Sequence, residues 1–155
     1  MKAIPADCTE SIARYLLEST RRALEPLRAA LDLVPDERLG EQPVPDQLPV
    51  GRMIEHAFGA VAFTARALRF GKFEESDAAD LMVDDEATGT RPRIDEMEKV
   101  ALDELRATLE ALSADMASRT IDYFFGWSLT GVETARLGYE ELCHHRGQVQ
   151  SFLRL

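Results

Sequence analysis

The residues of this chain best placed to do chemistry lie in Glu141-Leu142-Cys143-His144-His145-Arg146-Gly147-Gln148, read together with one distant histidine, His56. Residues four apart on a helix stand one above the other, so Glu141 and His145 project from one face, and Gln148 and Phe152 continue that stripe. His145 is also at helical spacing from Gly138, Leu142, Val149 and Phe152, which makes its side the buried one of an amphipathic helix. His56 has Met53, Ala60, Phe63 and Ala67 at the intervals that mark an inward face. The spacing therefore predicts that His56, Glu141 and His145 meet in the interior and hold a divalent metal. A carboxylate buried near Leu142, Val149 and Phe152 without a partner would be costly and would tend to protonate, and a cation removes that cost. Two imidazoles and one carboxylate leave coordination positions open, as in catalytic zinc and non-haem iron sites, where the metal activates a water or a thiol.

The spacing leaves a second reading open. A lone histidine on an apolar face is more often a satisfied core residue than a ligand, and Glu141 with His145 also makes sense as a buried hydrogen-bonded pair. Neither H-E-x-x-H nor a ladder of cysteines is present. Cys143, two positions from His145, stands about 200° around the helix, faces away from the site and reads as a small buried hydrophobe. Cys8 and Cys143 are too few and too far apart for a disulfide framework or a zinc ribbon.

Four long amphipathic segments must position these groups. The first runs from about Thr9 to Val34, with Ile12, Leu16, Ala23, Leu27, Ala30 and Val34 in phase. Pro26 inside it predicts a kink or local break. From Pro35 to Pro49 a proline-rich stretch reads as an extended connection. The second helix runs from Pro49 or Val50 to Phe70, with Pro49 suited to the first turn and Gly71 to the left-handed position after the last. An acidic loop follows, with at most a helical turn around Ala78 to Met82, and it lacks the spacing of a calcium-binding loop. The third helix spans Arg93 to Ala114. Thr120 to Leu129 gathers Ile121, Tyr123, Phe124, Phe125 and Trp127 around Gly126, and reads as an ordered connector across one end of the molecule, with Trp127 or Tyr123 available to wall a pocket. Thr130 and Glu133 form a capping box that opens the last helix, which runs on to Leu155. With no strand alternation and no repeat, the expectation is an all-α four-helix bundle with long connectors, forming a single domain over residues 1–155.

Charge narrows the function classes. With 28 acidic and 18 basic side chains the formal net charge is -10, a field that repels nucleic-acid phosphates and anionic lipid. No basic patch is visible in the sequence to offset it, so neither nucleic acid nor membrane is an expected partner. Met1 to Asp7 lacks a basic region followed by an apolar run, and no apolar segment approaches the roughly 20 residues of a membrane span. The expected compartment is the cytoplasm.

The ending Glu141 to Leu155, above all His144-His145-Arg146-Gly147-Gln148 followed by Phe152-Leu153-Arg154, resembles the C-terminal helix of the DinB-like (YfiT-like) superfamily of metal-dependent bundle proteins. His56, on the second helix after a proline-rich connector, matches the other half of that pattern. The resemblance implies an up-down-down-up four-helix bundle, often a homodimer, in which one second-helix histidine and two last-helix ligands bind nickel, zinc or a similar ion. His56 and His145 match two ligands by residue, while Glu141 stands where the family usually has histidine. His144, about 100° around the helix from His145, falls beside the ligand set. Gly147 would allow a neighbouring helix to approach, and Arg146 and Gln148 would orient that packing or line the rim. Some similar proteins are transferases or isomerases that use a low-molecular-weight thiol such as bacillithiol or mycothiol. The implied function is a metal-binding protein, either a thiol-dependent transferase or a metal-assisted hydrolase. The alternative is a non-catalytic dimeric bundle with a structural His/Glu cluster that binds a partner or small ligand.

Overall fold

The computed structural model describes residues 6–79, 81 and 87–154. Helix α1 spans Ala6–Asp32, α2 Val50–Phe70, α4 Arg91–Ala111 and α6 Gly131–Phe152. Between α2 and α4 lie β1 (Lys72–Phe73) and the short α3 (Glu75–Ala78). Between α4 and α6 lie α5 (Ala114–Ser118), β2 (Thr120–Tyr123) and β3 (Ser128–Thr130). Helix α2 starts directly after Pro49 and stops at Gly71, whose φ of 79° provides the left-handed turn. The Thr130–Glu133 capping box is present in both directions, which satisfies two backbone donors at the start of α6.

Side-chain pairs between helices give the topology. Arg28 on α1 pairs with Asp95 and Glu98 on α4, and Arg14 donates to the Leu109 carbonyl, so α1 and α4 run antiparallel. Glu55 pairs with Arg93, and Glu104 with both Arg66 and Arg69, so α2 and α4 run parallel. His56 meets His145, and Gly138 abuts Thr64, which sets α6 antiparallel to α2. The result is the up-down-down-up bundle. Its core contains Leu27, Leu31, Ile54, Phe58, Leu68, Ile94, Met97, Leu105 and Leu142, all essentially without solvent contact. Each such side chain contributes roughly 1.5–3 kcal/mol by leaving water. Among the described residues no helix is long and apolar enough to cross a membrane.

Several expectations need correction. Of the kink or local break expected at Pro26, the break is absent, since helix α1 continues through it. Arg22 and Pro26 both lie on the exposed side, where the carbonyl that loses its proline donor can turn to water. The third long helix ends at Ala111, and Ser113 caps a separate short helix by accepting a bond from the Met116 amide. The chain is not free of strands: β1 pairs parallel with β2, and β2 antiparallel with β3. The strands are two to four residues long, too short for a period of two to emerge from the sequence, and the β1–β2 pairing joins segments far apart in the chain. Among the described residues nothing lies within 4 Å of where a Cβ on Gly147 would stand, so no described helix approaches it closely. The close approach is at Gly138 instead: a Cβ there would collide with Thr64 Oγ1. The short helix in this loop is α3, earlier than the turn expected at Ala78 to Met82; Asp80 and Met82 fall outside the described residues, as does Leu155.

Candidate metal centre

Helix α6 carries Glu141 and His145 one turn apart, with Glu141 Oε2 3.4 Å from His145 Nε2. The tight approach of Gly138 to Thr64 draws α6 against α2, and two turns further along α6 the same pair of helices sets the His145 ring edge-on to His56, with centroids 4.9 Å apart and planes at 88°. One donor atom from each of His56, Glu141 and His145 can be chosen so that all lie within 4.8 Å of one another. Two ligands about 2.1 Å from one ion stand at most about 4.2 Å apart, so only a small inward movement of these side chains separates the set from an ion-holding one.

The three do not meet in the interior. His145 is buried, Glu141 is half-buried, and His56 is exposed. The expectation of an inward His56 failed because α2 is covered on most of its circumference by α4 and α6. His56 is the one exposed residue between Val50 and Ala65, so apolar neighbours occur at helical spacing from it in every direction. Of those named above, Ala60 and Phe63 share its open side, while Met53 and Ala67 are buried.

His145 is prepared for a ligand. Its Nδ1 lies 2.8 Å from Gln148 Oε1; an amide oxygen only accepts, so the proton sits on Nδ1 and the Nε2 lone pair is free. Nε2 is buried and makes no hydrogen bond, one of two such side-chain atoms among the described residues. The Glu141 carboxylate is near it but out of line. Burial pushes the His145 pKa below its ordinary value; the Gln148 contact and Glu141 oppose this, and His56 and His144 add to it. The neutral, metal-ligating form is therefore favoured. Unpartnered nitrogen, fixed tautomer and mixed imidazole–carboxylate donors together fit a divalent ion of the zinc, nickel or iron type.

Other residues singled out in the sequence take different places. His144 is exposed, its ring 5.0 Å from that of His145. Cys143 is half-buried rather than buried, beside Tyr139, and Cys8 is exposed. Tyr123 does not wall the pocket; it is buried, with its hydroxyl 3.0 Å from Thr134 Oγ1. Trp127 does line it. The pocket is a cleft of about 500 Å³ bordered by His56 and Glu141. Sequence reasoning missed Glu55, whose two oxygens accept from the Gly89 amide at 2.6 Å and Arg93 Nε at 3.2 Å. Glu55 ties the segment at residues 88–90 to α2 and so forms one side of the cleft. Its only sequence signal was a carboxylate on a face otherwise buried.

Residues 16–149 match the sequence profile of the DinB superfamily. The chain belongs to that superfamily. The matched span contains His56, Glu141 and His145. No curated protein matches the chain in sequence. Among solved structures, this DinB-superfamily chain is similar to a DinB-like protein, YjoA, of Bacillus subtilis, with TM-score 0.65, 17% identity, and coverage of 93% of this chain and 90% of the other. It is also similar to mycothiol-dependent maleylpyruvate isomerase, with TM-score 0.54, 16% identity and 95% coverage of this chain. A variant of that isomerase gives TM-score 0.57 at 16% identity. The chain spans 62% of the isomerase's length. At these identities the likeness is one of fold.

Proposed function

We propose that this DinB-superfamily protein binds a divalent metal through His56, Glu141 and His145, and that it acts as a thiol-dependent transferase or a metal-assisted hydrolase. The observation that carries this reading is His145 Nε2, buried and unpartnered, its lone pair freed by Gln148, 3.4 Å from Glu141 Oε2 and on a ring that meets that of His56. Two imidazoles and a carboxylate suit zinc, nickel or iron and leave room for a further ligand. When bound, such an ion supplies a positive charge that lowers the pKa of a thiol or a water.

The chain's own residues have separable parts in this. Gln148 holds the His145 ring and its proton. Glu141 contributes negative charge that offsets the ion. His56, exposed on the cleft, is the ligand that an incoming substrate would pass. A low-molecular-weight thiol is the favoured co-substrate, because the fold is shared with a mycothiol-dependent isomerase. A homodimer and a cytoplasmic location belong to the same proposal.

Protein purified without a histidine tag, stripped and titrated with zinc, nickel or ferrous iron, is expected to take up one ion per chain with a rise in Tm. His145→Ala is expected to abolish uptake while keeping its helicity, because the apolar core does not depend on the ion. Unchanged stoichiometry in that variant would remove His145 from the site. A wild-type protein that takes up no ion, and whose Tm ignores all three, would support the other reading, a non-catalytic bundle in which the His/Glu cluster is structural.

A further inference from the structure

The cleft beside the three candidate ligands changes in chemistry along its length. On α2 its floor is formed by Arg52, His56, Ala60 and Phe63, which share a face and span about 16 Å at 1.5 Å per residue. Much of the polar lining is already engaged. Both Glu55 oxygens are bonded to Gly89 and Arg93, and Thr64 Oγ1 is bonded to carbonyls of its own helix. His56 and Glu141 lie side by side, with Arg52 one turn away toward the start of α2.

Toward the other end of α2 the wall is aromatic. Phe63 stacks on Phe125, with centroids 6.0 Å apart and planes at 14°, and Phe125 meets Trp127 edge-on at 5.0 Å. Phe124 adds a fourth ring to the lining. Phe125 is 43% and Trp127 56% exposed, and the backbone holds them there. The Trp127 carbonyl accepts from the Tyr123 amide, the Gly126 amide donates back to the Tyr123 carbonyl, both at 2.9 Å, and Gly126 takes a φ of 91° that favours glycine. Large rings kept in contact with water on a braced hairpin, facing a cleft with convergent polar groups at one end, are the makings of a ligand surface.

We infer that the Phe63–Phe125–Trp127 wall binds the flat, non-anionic ring system of a small molecule. That the ligand's donor atom then points to His56, Glu141 and His145 rests on the metal-site reading above; the ring binding itself does not. An anionic ring is disfavoured by Glu141 in the cleft and by the net charge of -10.

The chain has one tryptophan, so its emission reports on this wall alone. Metal-free full-length protein is titrated with N-phenyl-1-naphthylamine, a neutral naphthalene-based probe, and in parallel with a sulfonated naphthalene. The neutral probe is expected to bind saturably at one site per chain and quench Trp127. Phe125→Ala is expected to weaken it by about threefold to tenfold, since aromatic contacts carry energy beyond their area. Phe125→Leu, which keeps apolar bulk and guards against a folding defect, should still weaken it at least about twofold. Phe70→Ala, a ring as exposed but outside the cleft, should change nothing. His145→Ala should leave probe binding intact even where metal uptake is lost, so the two proposals fail separately. Non-saturable binding, equal losses at Phe70 and Phe125, or equally tight binding of the sulfonated probe would overturn the inference.

Discussion

Gln148 Oε1 lies 2.8 Å from His145 Nδ1, three residues back on the same helix, and this contact leaves the other ring nitrogen, Nε2, facing Glu141 with its lone pair free. Outer partners of this kind typically hold metal affinity within a factor of 10 to 100. Gln148→Leu is therefore expected to weaken zinc or nickel binding by roughly that factor with helicity retained. Competition against a chromophoric chelator measures it, and an unchanged affinity would show that the ring is held by packing alone.

Glu141 is the proposed donor that stands where the resemblance of the last helix implies a histidine. Glu141→His replaces a hard oxygen by a borderline nitrogen, and zinc or nickel binding is expected to persist or tighten. Weaker binding in that variant, by the same competition assay, would mean that the carboxylate is present for another purpose.

Gly138 sets the spacing that brings α2 and α6 together at the site. Gly138→Ala drives a methyl into Thr64 Oγ1, which should cost about 1–3 kcal/mol in urea unfolding, the usual price of overpacking. Combining it with Thr64→Ala should recover part of that loss. No recovery in the double variant would place the strain elsewhere.

Glu55 is a buried carboxylate 3.2 Å from Arg93 Nε and 2.6 Å from the Gly89 amide. Glu55→Ala leaves the Gly89 amide without this acceptor and Arg93 still paired with Glu96, and a loss of roughly 1–3 kcal/mol is expected. Faster hydrogen exchange should appear at Gly89 and Thr90. Exchange there as slow as in the wild type would mean that other contacts hold the segment.

Tyr123 gives an alkaline signature. Burial raises its hydroxyl pKa above the ordinary value, and the bond to Thr134 partly opposes this. Above about pH 10 the unfolded chain releases a proton that the folded one keeps, so the folded state binds more protons and stability falls as pH rises. The contribution is complete below that range and is lost on passing upward through the folded pKa. Tyr123→Phe should flatten this fall, as read from urea midpoints between about pH 8 and pH 11. An equally steep fall in the variant would assign it to another group.

The four long helices could be located from the sequence because helix formation is governed by neighbours three and four residues away, by Gly71 after α2 and by the Thr130–Glu133 box before α6. The pairing of Glu141 with His145 was legible for the same reason, since both ride on one helix. The sequence by itself determined little beyond this local order and the charge balance. Tertiary structure decided that His56 faces a cleft, because α2 is enclosed by two partners and its apolar residues mark no single inward side. It also decided the three-stranded sheet and the braced aromatic hairpin, whose hydrogen bonds join Phe73 to Phe124 across 50 residues. Such long-range contacts form only when the whole chain closes, and no window of sequence contains both halves.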